Sequence, residues 1–99
     1  MEGSVSTTIK DHIAFVTFHH PQSNSLPGTL LRSLAASITE AGANDDARVI
    51  VLQSEGEKSF CAGASFDELV AIDNLEQGKI FFSGFAAVIN AMRKATKFV

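Results

Sequence analysis

The chain has 99 residues, 45% hydrophobic and 19% charged, which makes it one small globular unit or a piece of a larger one rather than a disordered polymer. A net charge of −3 without any Arg/Lys cluster argues against a nucleic-acid surface, and no apolar run approaches the ~20 residues of a membrane span. Met1-Glu2-Gly3-Ser4 has no basic region followed by an apolar stretch, and the one cysteine, Cys61, cannot form an internal disulfide, so the expectation is a soluble cytoplasmic protein.

No internal repeat or interdomain linker interrupts the chain. Val5 to Lys10 carries Val, two Thr and Ile and reads as a strand. Asp11-His12 is a plausible turn, and His12 to His19 reads as a second strand, so the two form a hairpin. A lone hairpin is marginal and needs a helix or more sheet to pack on. His20 to Ser25 is a loop by composition. Leu26-Pro27 opens a helix, since proline suits the first turn. Leu30, Leu31, Leu34, Ile38 and Ala41 follow at helical spacing, and Gly42 and Asn44 end it. After the turn Asn44-Asp45-Asp46, Arg48 to Ser54 holds the run Val49-Ile50-Val51-Leu52, the pattern of a strand covered on both faces in a parallel sheet.

Glu55 to Ser65 is a loop of small and polar residues. Phe66 to Ile72 reads as a short helix and Leu75 to Lys94 as a longer one, with Phe81, Phe85, Val88 and Met92 on one face and Phe82 and Ile89 beside them. Lys97-Phe98-Val99 looks like the start of another strand. The order strand, strand, helix, strand, helix predicts an α/β fold with parallel pairing.

The segment that carries chemistry is Ser59-Phe60-Cys61-Ala62-Gly63-Ala64-Ser65-Phe66-Asp67-Glu68-Leu69. It follows a buried strand and leads into a helix. Small residues there let a ligand approach the backbone, and free N–H groups at the helix start can bind an anion or oxyanion. Gly63 permits a backbone angle that other residues resist.

Lys58 to Leu69 resembles the Lys-Ala-Phe-Cys/Ala-Ala-Gly-Ala-Asp-Leu/Ile segment, continued by a charged residue, Glu and Leu/Met, of the crotonase superfamily, the enoyl-CoA hydratase/isomerase family. Phe18-His19-His20-Pro21-Gln22-Ser23-Asn24-Ser25-Leu26 resembles that family's Leu-Asn-Arg-Pro loop with its later Asn-Ala-Leu, and Val49-Ile50-Val51-Leu52 resembles the strand before the Ala-Gly-Ala loop. The three in order cover essentially the whole chain. The resemblance implies a crotonase-like spiral of β-β-α units, incomplete here, with residues 1–99 as the N-terminal part of a domain that continues beyond Val99.

It also implies an acyl-CoA thioester as substrate and partner, polarised by two backbone N–H groups, one of which maps to Ala64. Such a donor is worth ~3–4 kcal/mol in other oxyanion holes. CoA contacts map to Gln22, Asn24, Ala62, Ser65 and Phe66. Coenzyme A enters as part of the substrate, with no metal and no separate cofactor, and family members are trimers or dimers of trimers. Ser65 stands where the family often has Asp, and His20 where Arg is common. The second donor and the acid/base glutamates would lie beyond Val99. Enoyl-CoA hydration is therefore the expected reaction of the parent, and the chain alone is expected to be inactive. The alternatives are enoyl-CoA isomerase, acyl-CoA hydrolase or decarboxylase chemistry, or a truncated non-catalytic module that binds CoA or self-associates.

Blander readings compete at single residues. Cys61 as a nucleophile has no histidine fixed beside it. His12, His19, His20 and Cys61 fit no zinc spacing, and Gly56-Glu57-Lys58-Ser59 breaks the phosphate-loop pattern. Asp67 and Glu68 suit the positive end of their own helix. Lys94 and Lys97 read as a solvated helix end, although CoA phosphates are conceivable partners.

Overall fold

The computed structural model describes residues 3–99; the Met1-Glu2 start considered above lies outside them. β1 (Ser4–Lys10) and β2 (Ile13–His19) form an antiparallel hairpin in which Lys10 faces Ile13. Asp11 and His12 between them have φ of 53° and 66°. Two successive left-handed residues make the type I′ turn, whose twist matches that of the strands. The turn at Asp11-His12 is as expected, and the second strand starts one residue later than expected, at Ile13.

β3 (Val49–Ser54) runs parallel to β2, from Ile13 against Val49 to Phe18 against Ser54, giving the order β1-β2-β3. A parallel neighbour needs a long crossover, and α1 (Gly28–Ala43) supplies it. Alternation along β2 places Ala14, Val16 and Phe18 on one face, each at most 1% exposed, with Ile50 of β3 beside them. Leu30, Leu31, Leu34, Ile38 and Ala41 of α1 close over that face. α2 (Phe66–Ala71) is short. α3 (Leu75–Lys94) packs on α1 rather than on the sheet, through Phe81, Gly84, Val88 and Ala91. The α/β class and the parallel pairing are as expected.

Four local expectations are corrected. β3 is covered on one face only among the described residues: Ile50 is buried, but Val49 is 37% exposed and Val51 half-buried, because α1 lies on one side of the sheet. Pro27 is the extended residue before α1 (φ −74°, ψ 163°) rather than part of it. Gly42 lies inside α1, where a Cβ would sit 3.6 Å from Ala95 Cβ, and Asn44 is the C-cap. Lys97 is not a solvated charge: its Nζ donates to the carbonyls of Ala41 (3.1 Å) and Asn44 at the end of α1, which has no basic residue of its own there. The expected pairing after Lys97 does begin, with the Ile50 N–H donating to the Phe98 carbonyl at 2.9 Å in a parallel bridge of Phe98 with Val49.

The contact of α1 with α3 is set by Gly84. A Cβ there would lie 3.0 Å from Leu31 Cδ1 and 3.2 Å from Leu31 Cβ, tight enough that the fully buried Leu31 would have to shift by a few tenths of an ångström. Leu31→Ala is expected to cost about 2–5 kcal/mol as a fully buried leucine. Gly84→Ala should destabilise the parent despite a helix-propensity gain of about 1 kcal/mol, and the penalty should shrink or reverse in the Leu31→Ala background. Urea unfolding of the four chains of the cycle checks this; additive losses would show that Leu31 and Gly84 do not share the contact.

Candidate functional site

Parallel strands deliver their C-terminal ends to the same edge of the sheet, which is where ligands bind in open α/β sheets. The loop after β2 (20–27) and the loop after β3 (55–65) therefore lie side by side. What joins them is Asn24. It is buried, with φ of 62°, following Ser23 at 59°. Its Oδ1 accepts from the His20 N–H (2.8 Å), and its Nδ2 donates to the carbonyls of Glu55 (2.8 Å) and Ser59 (2.9 Å). Its backbone N–H donates to the His20 carbonyl (3.0 Å), and its carbonyl accepts from the Ala62 N–H (3.2 Å). Ser59 Oγ adds a bond to the Ser23 carbonyl at 2.7 Å. Asn24 is therefore a clasp between the loops, and its own polar groups are all occupied.

Beyond the clasp, Leu26 and Ala64 form a parallel bridge. Leu26 uses both of its backbone groups: its N–H donates to the Gly63 carbonyl (2.8 Å) and its carbonyl accepts from the Ser65 N–H (3.2 Å). In that pattern the bridged residue opposite, Ala64, turns its own N–H and C=O away from Leu26. No described residue accepts the Ala64 N–H. Gly63, at φ 88°, makes the turn that presents it, and no atom lies within 4 Å of where a Gly63 Cβ would be. The glycine answers a backbone angle and not a lack of room.

The other expected contact residues surround this point unequally. Gln22 and Ser65 line one open groove of 690 Å³ together with His20, Pro27 and Asp67. Ser65 is buried, and its Oγ caps α2 by accepting from the Glu68 N–H at 3.4 Å. Ala62 is exposed, with its N–H spent on Asn24, and Phe66 is 69% exposed. Cys61 Sγ accepts from the Gly63 N–H at 3.3 Å, which makes the cysteine a support for the turn. The clasp of Asn24 and a bond from Gly28 to Glu68 (3.0 Å) were not read from sequence. The signal for the latter was available: α1 starts after a proline with no acidic residue in its first turn, so its first N–H groups needed a partner from elsewhere.

His20 is buried under the loop. Its Nδ1 accepts from the Gln22 N–H at 3.1 Å and lies 3.4 Å from Ser25 Oγ. Burial lowers its pKa below the ordinary 6.5, and the neighbouring His19 lowers it further. An Nδ1 that accepts is the neutral tautomer carrying its proton on Nε2. Among the described residues no three His, Cys, Asp or Glu side chains converge on a metal position, and no helix is long and apolar enough to cross a membrane.

The sequence model of the family described as Enoyl-CoA hydratase/isomerase matches residues 8–99. The Bacillus subtilis (strain 168) protein YngF, which bears the name of an enoyl-CoA hydratase/isomerase, is 33% identical over 96 residues, covering 93% of this chain and 37% of YngF. A (7aS)-7a-methyl-1,5-dioxo-2,3,5,6,7,7a-hexahydro-1H-indene-carboxyl-CoA hydrolase of Mycobacterium tuberculosis is 35% identical over 88 residues, covering 89% of this chain and 31% of the hydrolase. The crystal structure of an enoyl-CoA hydratase from Bacillus anthracis superposes with a TM-score of 0.84 at 25% identity, covering 94% of this chain and 36% of that enzyme. The chain thus spans about a third of the length of the curated relatives it matches (37% and 31%).

Two outcomes follow from the clasp. Asn24→Ala strands the buried His20 N–H, at about 1–3 kcal/mol, and releases two carbonyls on an exposed and a half-buried residue that water can reach at lower cost, so a loss of about 2–4 kcal/mol is expected in urea unfolding. Asn24→Gly, which relieves the left-handed backbone, should recover about 1 kcal/mol of that. His20 gives a pH signature. Its folded pKa is depressed, so the unfolded chain binds the proton first, and stability falls as pH drops through 6.5 toward the folded value. Unfolding midpoints between pH 7 and pH 5 should fall more steeply for the parent than for His20→Gln; parallel curves would remove His20 from that loss.

Proposed function

The chain belongs to the enoyl-CoA hydratase/isomerase family, and on that premise we propose that it binds acyl-CoA thioesters through the Ala64 N–H. The observation that carries the reading is a backbone donor directed away from its bridge, presented by a left-handed glycine in an open loop. A thioester carbonyl placed there gains a hydrogen bond that strengthens as negative charge moves onto its oxygen. A preorganised donor of this kind contributes about 2.7–4 kcal/mol to a transition state. In hydration of a 2-enoyl-CoA, water adds its oxygen to C3 as one of its O–H bonds breaks and the proton passes to a base. The electron pair of the double bond moves toward the carbonyl, and the enolate then takes a proton at C2.

Hydration is the reaction we assign to the parent, with the second donor and the acid/base glutamate supplied by the family's later segments. Thioester hydrolysis is the second reading, favoured by the indene-carboxyl-CoA hydrolase among the relatives, and it needs the same polarised carbonyl. Gln22, Ala62, Ser65 and Phe66 lie around the CoA side of the proposed site, with Asn24 acting through the loops it joins. Coenzyme A is carried by the substrate, and no separate cofactor is assigned. Assembly as a homotrimer or dimer of trimers and a cytoplasmic location complete the proposal. Exposed apolar side chains such as Leu75 and Phe82 are suited to further association.

Semisynthesis tests the donor directly. Replacing the Gly63–Ala64 amide by an ester deletes that N–H and keeps the Gly63 carbonyl as a weaker acceptor for the Leu26 N–H, a change that free CoA reports on separately. Crotonyl-CoA affinity should fall about tenfold, as one net hydrogen bond of about 1–1.5 kcal/mol is lost, while affinity for free CoA stays unchanged. Equal losses for both ligands would count against Ala64. The 99-residue chain should bind crotonyl-CoA without hydrating it; hydration above background would overturn the assignment of the acid/base groups to later segments.

A further inference from the structure

Pro27 gives the start of α1 no side-chain cap, and its first turn holds no acidic residue. The Gly28 N–H nevertheless has an acceptor. Glu68 Oε1, from the first turn of α2, reaches back across 40 positions to it at 3.0 Å. A Cβ at Gly28 would come within 3.3 Å of Glu68 Oε1, so a side chain there would push the carboxylate by a few tenths of an ångström. The carboxylate also meets the positive end of a 16-residue helix, where negative charge is favourable.

Glu68 is anchored on its other side too. Its N–H donates to Ser65 Oγ (3.4 Å), and the Ser65 N–H donates to the Leu26 carbonyl (3.2 Å). The chain therefore closes into a ring. Leu26, Pro27 and Gly28 form one side, and Ser65 to Glu68 form the other. The backbone bond at Leu26 closes one end and the Glu68 carboxylate closes the second. Ala64 sits one residue outside the ring. The two Leu26 bonds hold Gly63 and Ser65 at one end, and the Glu68 carboxylate adds a second tie that resists rotation of the segment about them.

We propose that Glu68 is a positioning residue that holds the Ala64 N–H in its outward direction. Its consequence for ligand binding rests on the reading of Ala64 as a thioester donor; the positioning itself does not. The role differs from that of an acid stabilising its own helix. Glu68 acts through a carboxylate oxygen on another helix, so the reach of the side chain matters and its charge matters less.

The test compares the full chain with Glu68→Ala, Glu68→Asp and Glu68→Gln. Asn74→Ala controls for lost stability, because Asn74 Oδ1 caps α3 by accepting from the Gln77 N–H at 2.8 Å, a bond that is not part of the ring. In the ligand-free chains, amide ¹⁵N order parameters of Gly63, Ala64 and Ser65 should fall from the rigid value of about 0.85 to below about 0.6 in E68A and E68D. E68Q keeps the acceptor oxygen and should restore them, and N74A should leave them unchanged. E68D has the same charge and one methylene less reach, so it carries the test should E68A fail to fold. Unchanged order parameters in both shortened variants, or equal loosening in N74A, overturn the proposal.

With crotonyl-CoA bound, the infrared carbonyl frequency should be lowered by the parent and by E68Q. E68A and E68D should lose most of that lowering and about tenfold in affinity, within the ~100-fold that a misplacement of about 1 Å costs. No lowering in the parent would refute Ala64 as donor, while the order parameters would still decide the role of Glu68.

Discussion

The parallel bridge between Leu26 and Ala64 is the interaction on which the rest of the site depends. It consists of two backbone hydrogen bonds, both made by Leu26. Because Leu26 takes the Gly63 carbonyl and the Ser65 N–H, Ala64 is left with an N–H that no described residue accepts. An unsatisfied donor is costly when buried and cheap when open to solvent or ligand. The half-buried position of Ala64, beside a glycine with nothing around its missing Cβ, keeps the donor accessible. The sheet makes the bridge possible. β2 and β3 are parallel neighbours, so the loops that leave them start at the same edge and need only a short clasp to stay together.

That clasp and its supports are built from residues far apart in sequence. Asn24 bonds to Glu55 and Ser59, 31 and 35 positions away. The two ends of α1 follow the same principle. The helix carries neither an acid in its first turn nor a base in its last; Glu68 serves the first end and Lys97 the second. Beside the local bond from the Asn44 N–H to the Ala41 carbonyl, both ends of the helix draw on tertiary partners, so docking of the loop after β3 and of the segment after α3 adds to its stability. Order at the site and order of the core are thereby coupled. Gly84 works the same way from the outer layer, since the close approach to Leu31 lets α3 press α1 onto the sheet.

Periodicity was enough to read the elements. The alternation of Ala14, Val16 and Phe18, the helical spacing of Leu30, Leu31, Leu34 and Ile38, and the run at Val49–Leu52 each have one dominant geometric solution. The misreadings fell where a local signal met a tertiary fact. His12 was readable both as turn and as first strand residue, and its left-handed backbone, which histidine adopts more readily than most residues, places it in the turn. Gly42 looked like a helix end because glycine commonly is one, yet here it admits Ala95. β3 looked doubly covered because its composition reports what a strand tolerates and not what lies on it. Ala64 was readable only through the motif around it, since a backbone N–H has no residue signature. The roles of Asn24, Glu68 and Lys97 depend on partners more than 30 positions away, which no local pattern encodes.

The central claim is that the Ala64 N–H meets a thioester oxygen. The most direct measurement is the amide ¹H–¹⁵N resonance of Ala64 during titration with butyryl-CoA, a saturated thioester with no double bond to hydrate, and in parallel with free CoA. The account predicts a downfield amide proton shift at Ala64 that saturates with butyryl-CoA and is absent with CoA. An Ala64 resonance that stays in place, or that moves equally with both ligands, would contradict it.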